Sequence, residues 1–100
     1  MDTTKRKLLT IMSEAALEEA LVRDIESLGG RGYTITDARG KGSRGKRDAA
    51  WTQDANIRIE VLCDAGTAHA IGAALRERYY ENYSMVMYLS EVEVLRPEKF

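Results

Sequence analysis

Between Gly40 and Arg47 the chain reads Gly-Lys-Gly-Ser-Arg-Gly-Lys-Arg, three glycines and four basic side chains in eight positions. Glycines let a backbone approach a ligand closely, and successive N–H groups on such a backbone can cradle an anion. Arg44 and Arg47 add planar guanidinium forks that take phosphate or a carboxylate-like anion through paired charge-assisted bonds. The chemistry this stretch can do is anion capture. Gly40, Gly42 and Gly45 also satisfy the letters G-x-G-x-x-G, but the dinucleotide fingerprint needs a helix directly behind its glycines. Here Lys46, Arg47 and Asp48 follow and then a strand pattern. A Walker A loop fails as well, because Lys41 is followed by Gly42 where Ser or Thr belongs.

Other reactive side chains are few. His69 is the only histidine and falls within a helix pattern, where it reads as a surface residue. Cys63 is the only cysteine and ends an apolar strand pattern, so it reads as core. One histidine and one cysteine at this spacing make no transition-metal ligand set. Glu14, Glu18 and Glu19 read as a solvated helix face. The sequence therefore predicts a binding protein and no enzyme. Trp51 lies beyond the basic stretch, where an exposed tryptophan commonly marks a contact surface.

Charge is unevenly placed. Arg39 to Asp48 carries five basic residues against one acidic, while the other ninety positions carry ten against fifteen. A cationic loop on an anionic body suits a compact anion better than a long polyanion. One cysteine excludes an internal disulfide framework. With no apolar run near the ~18 residues of a membrane span, and no signal-peptide layout, a soluble cytoplasmic protein is expected.

The elements that must hold the loop follow from periodicity. Lys7 to Met12 reads as a buried strand, with Ser13 as the cap of a first helix and Glu14 in its first turn. Leu17, Ala20, Leu21, Ile25 and Leu28 follow at helical spacing, and Gly29-Gly30 ends that helix. A second strand covers about Gly32 to Arg39. Ile57, Ile59 and Val61 alternate with Asn56, Arg58 and Glu60 in a third. Asp64 caps a second helix with the stripe Ala68, Ile71, Leu75 and Tyr79. A last strand runs from roughly Ser84 to Leu95.

This order is β-α-β-β-α-β, the α+β ferredoxin-like split βαβ, in one domain covering residues 1–100. Right-handed crossovers put both helices on one face of a four-stranded antiparallel sheet. In the last strand Val86, Tyr88, Val92 and Val94 share one face and Met85, Met87 and Leu89 the other. Both faces are apolar, so something covers the second one, and another copy of the chain is the natural cover. An RNA-binding module of this fold is the alternative. It stacks bases on sheet aromatics, and neither the first nor the third strand has any; Tyr33 and Tyr88 read as core or interface packing.

The element order, the "GYT" entering the second strand and the long following loop resemble the PII signalling superfamily. "GYTITDARGKGSRGKR", "NIRIEVL" and "YYENYSMVMYLSEVEVL" look like its PII-like branch linked to inorganic carbon. That branch includes bicarbonate-transporter-associated regulators and carboxysome-associated PII-like proteins. The resemblance spans about Lys7 to Leu95 and is most specific at Gly40 to Arg47.

The resemblance implies a homotrimer with an adenine nucleotide in each inter-subunit cleft. It also implies a flexible T-loop, about residues 40–55, that engages a protein partner such as a transporter or carboxysome component. Carried over by position, the nucleotide contacts are Thr34, Gly40, Lys41, Gly42, Ser43, Arg44, Arg47, Asn56, Met85, Val86, Met87 and Tyr88. Lys41, Arg44 and Arg47 would take a small anion, bicarbonate or phosphate, and Trp51 would meet the partner. Three departures refine the ligand. Residues 40–55 hold no tyrosine for nucleotidylylation, Glu81 to Met85 lacks the Gly-Asp-Gly-Lys turn that holds outer phosphates, and no glutamine stands at the loop base. ADP, AMP or cyclic AMP is therefore expected, with bicarbonate, instead of ATP with 2-oxoglutarate. A PII-type nucleotide sensor without a carbon link stays beside this expectation.

Overall fold

The computed structural model describes residues 2–40 and 56–96. Lys41, Gly42, Ser43, Arg44, Arg47 and Trp51 lie outside the described residues. In chain order the elements are β1 (Thr4–Glu14), a 3-10 turn (Ala15–Leu17), α1 (Glu18–Ser27), β2 (Gly32–Ala38), β3 (Asn56–Cys63), α2 (Ala65–Tyr79) and β4 (Val86–Val94). The four strands form one sheet in the order β2-β3-β1-β4, with every pair antiparallel. β1 and β3 sit at the centre, and β2 and β4 are the edges.

Residues directly opposite one another in a ladder share a face of the sheet. Leu9 stands opposite Val61 and Leu89, and Ile11 opposite Ile59 and Met87. This face carries the helices: Leu21 and Ile25 of α1 and Ala68, Ile71 and Leu75 of α2 are buried in the same cluster as Leu9, Ile11, Ile57, Ile59 and Val61. The alternation in β3 is thus a partition between core and outer face, as its period of two requires. Thr10 with its partners Glu60 and Tyr88, and Met12 with Arg58 and Val86, occupy the outer face.

The start of α1 differs from the sequence expectation. Ser13 does not cap the helix and Glu14 is not in its first turn; both belong to β1, paired with Ile57 and Asn56. Ser13 is buried, and its hydroxyl donates to the Glu14 carbonyl at 3.2 Å. The ladder to β3 keeps these residues extended, so the chain turns later. Leu17 then stands at the cap position with no side-chain bond, and Glu18 and Glu19 supply the negative charge that a helix N-terminus favours. The far end of α1 closes as expected. Gly29 has φ of 101°, and Gly30 N–H donates to Ile25 O at 2.9 Å.

β1 also extends beyond Lys7 to Met12 at both ends. The added Lys5 and the expected Lys7 each lie 3.9 Å from Glu91 of β4, and just before the strand the Thr3 hydroxyl donates to Glu93 at 2.8 Å. β4 begins at Val86, two residues later than expected, because Asn82 and Tyr83 N–H groups both turn back to the Tyr79 carbonyl.

Candidate functional site

The described residues of the predicted site fall into two groups, one on β2 and the loop stems beside it and one along the β4 edge. On the β2 side, Thr34 is exposed on the outer face, Gly40 follows the strand, and Asn56 is buried where β3 begins. Asn56 pairs with Ala38 and Glu14, so both stems of the loop 40–55 are anchored at one end of the sheet. A Cβ at Gly40 would meet nothing within 4 Å. On the β4 side, Met85 is buried, Met87 packs against the core, and Val86 and Tyr88 are about half exposed on the outer face.

The registers place Tyr88, Thr10, Glu60 and Thr34 in one row across the outer face. Three strand spacings separate Tyr88 from Thr34, roughly 14 Å. One copy of the chain therefore does not bring Thr34 and Tyr88 together. Thr34, Val86 and Tyr88 lie on the outer face, which the chain's own helices leave uncovered.

Beside β4 the structure adds side chains that sequence reasoning missed. Tyr80 is the C-cap residue directly after α2, and its hydroxyl accepts the Met87 N–H at 3.1 Å. With Arg76 and His69 it rims a cavity of about 390 Å³ whose other walls include Met87, Tyr88 and Leu89. Gly72 opens this cavity, since a Cβ there would touch nothing within 4 Å. Arg76 and Tyr80 are four apart on one helix, so helical spacing puts them on the same face. That signal was available, but without knowing which strand lay beside α2 it had no target.

Cys63 is buried as expected, and burial followed by the Asp64 carboxylate pushes its thiol upward, away from the nucleophilic thiolate. Asp64 caps α2 as expected. Its Oδ1 accepts the Thr67 N–H at 2.7 Å, and that bond holds the carboxyl below its ordinary range. His69 is exposed on α2. Among the described residues no three His, Cys, Asp or Glu side chains are grouped to hold a metal ion, and no helix is long and apolar enough to cross a membrane.

The α1–α2 contact beneath the site is polar. Asp24 accepts from Arg78 Nη1 at 2.6 Å and from the Tyr79 hydroxyl at 2.7 Å. Burial, then the Asp24 carboxylate, pushes Tyr79 up to about 12. On the other edge the Tyr33 hydroxyl donates to Glu26 at 2.7 Å, which raises its pKa as well.

A four-stranded antiparallel sheet with two helices on one face, in β-α-β-β-α-β order, is the fold of the PII proteins. The model of the nitrogen regulatory protein P-II family matches residues 6–99, and the chain belongs to that family of regulatory proteins. It is 43% identical to a protein of Thermus thermophilus described as PII-like and signalling, covering 100% of this chain and 99% of that one with a TM-score of 0.84. It is 27% identical to CPII of Thiomonas intermedia solved with ADP, AMP and acetate, covering 100% and 98% with a TM-score of 0.86. Against CPII solved with ADP and bicarbonate, the identity is 28%, the coverage 99% and 97%, and the TM-score 0.83.

Proposed function

We propose that this chain is a non-enzymatic PII-like signalling protein that binds ADP or AMP together with bicarbonate in clefts between the subunits of a homotrimer. The observation that carries the reading is the division of the candidate site. Thr34 stands on the β2 edge, with Gly40 and Asn56 at the stems of the following loop, and Val86 and Tyr88 stand on the β4 edge, so a cleft containing both Thr34 and Tyr88 needs two copies of the chain. The uncovered outer face, with Val86 and Tyr88 about half exposed, offers an apolar surface for those copies. CPII, similar over almost the whole length, binds ADP, AMP and bicarbonate, which supports the same ligands here.

The loop then couples the ligands. Lys41, Arg44 and Arg47 would hold the nucleotide phosphate and, beside it, the small anion, with Ser43 and the glycine backbone lining the approach. An anion seated between phosphate and loop requires the loop to close. Nucleotide and anion therefore favour each other's binding by reciprocity. Closure would present or withdraw Trp51 from a protein partner in inorganic carbon uptake or fixation, a transporter or carboxysome component of the cytoplasm.

Calorimetric titration with ADP, AMP and cyclic AMP, each with bicarbonate or matched chloride, tests this. Bicarbonate tightens nucleotide binding, and Arg44→Ala removes most of that gain, a charge-assisted bond being worth about 1.5–3 kcal/mol. Binding indifferent to bicarbonate leaves a nucleotide sensor without a carbon link. Salt-sensitive affinity for oligonucleotides, with none for mononucleotides, overturns the reading in favour of RNA.

A further inference from the structure

Along β3 the outer face carries a cation that the candidate ligand contacts leave out. Arg58 stands two residues from Asn56 and two from Glu60, and it is exposed. Its register partners are Met12 on β1 and Thr36 on β2. Thr36, also exposed, lies midway between Thr34 and Ala38, where the stem toward Gly40 begins. Arg58 therefore falls inside the predicted site, between its Thr34 row and its loop stems, roughly 7 Å from either along the strand.

Toward the loop end this face is divided lengthwise. The β4–β1 half presents Val86, Tyr88 and Met12, and the β3–β2 half presents Arg58, Glu60, Thr34 and Thr36. The apolar half suits packing against another copy, and the polar half suits a charged ligand. Arg58 is the cation of that half, and it forms no hydrogen bond or ion pair among the described residues. Its five N–H donors are open to a ligand. Glu60 and, at the end of β1, Glu14 are the nearby carboxylates on the same face. Both repel an anion, so its room beside Arg58 is on the β2 side, over Thr36, whose hydroxyl can donate to it.

We propose that Arg58, with the Thr36 hydroxyl beside it, anchors the phosphate that ADP and AMP share, the one next to the ribose. This rests on the function proposed above and divides the work among its cations. A strand holds a side chain in place more firmly than a loop does, so Arg58 supplies a fixed phosphate contact. Lys41, Arg44 and Arg47 then close over the phosphate from the other side and hold the small anion. Nucleotide affinity rests chiefly on the strand, and its coupling to bicarbonate on the loop.

The test is Arg58→Gln in the full chain, titrated by calorimetry with AMP and with adenosine, each with bicarbonate or matched chloride. Wild type prefers AMP to adenosine. The variant loses roughly ten- to a hundredfold of its AMP affinity, as expected when charge-assisted bonds to one phosphate go, while its adenosine affinity is unchanged. Unchanged adenosine binding also reports that the variant folds and assembles. The factor by which bicarbonate tightens AMP binding stays as in wild type, whereas Arg44→Ala removes most of it. Arg58→Lys, which keeps a charge on the strand, recovers part of the preference for AMP. Undiminished AMP affinity in Arg58→Gln, equal losses for AMP and adenosine, or a lost bicarbonate factor overturns the anchor while leaving the proposed function standing. Absence of AMP binding to wild type overturns both.

Discussion

Asp24 accepts two hydrogen bonds from α2, one from Arg78 and one from the Tyr79 hydroxyl. Tyr79 is held protonated up to about 12 in the folded chain. The unfolded chain releases that proton near the ordinary value of about 10. Between these values the folded state binds the extra proton, so stability is full below about pH 10 and declines as pH rises toward 12. Tyr79→Phe removes this titration. It costs about 1 kcal/mol at neutral pH for the lost hydrogen bond and flattens the alkaline limb, as denaturant melts between about pH 9 and 12 would record. Cys63 makes the complementary point: a lone cysteine after an apolar strand reads as core, and burial with a raised pKa is the physical form of that reading.

At the scale of elements, two glycines on neighbouring segments carry opposite expectations. A Cβ on Gly30 would stand 2.6 Å from Ile25 Cγ2 and 3.1 Å from the Ile25 carbonyl, with Ile71 also in close contact. Gly30→Ala overpacks the α1–α2 junction and costs about 1–3 kcal/mol. Gly72 lies inside α2 with nothing within 4 Å of such a Cβ, so Gly72→Ala adds helix propensity and gains up to about 1 kcal/mol. Thermal unfolding of the two variants moves in opposite directions, and a common direction would contradict this account of the packing. The α1 start belongs here too. Ser13 carries the residue type of a helix cap, but pairing of β1 with β3 decided its conformation, because a ladder contact lies outside the local pattern.

For the whole molecule, the candidate site depends on which strands become edges. Val92 lies on the outer face opposite Arg6, at a distance along β4 from Val86 and Tyr88. Val92→Glu puts a charge into the surface expected to pack against neighbouring copies without altering a proposed ligand contact. It lowers the assembled mass in sedimentation velocity, and AMP binding falls with it; undiminished binding by a monomer would refute the inter-subunit cleft. Local patterning by itself determined the order and type of elements, the core stripe of α2, the Asp64 cap and the glycine-rich cationic loop, because each depends on residues a few positions apart. Only tertiary structure decided that β2 and β4 are opposite edges, that Thr34 and Tyr88 share a row across the outer face, and that Tyr80 reaches the Met87 N–H. Those relations depend on strand register and on contacts between distant segments, which no local periodicity encodes.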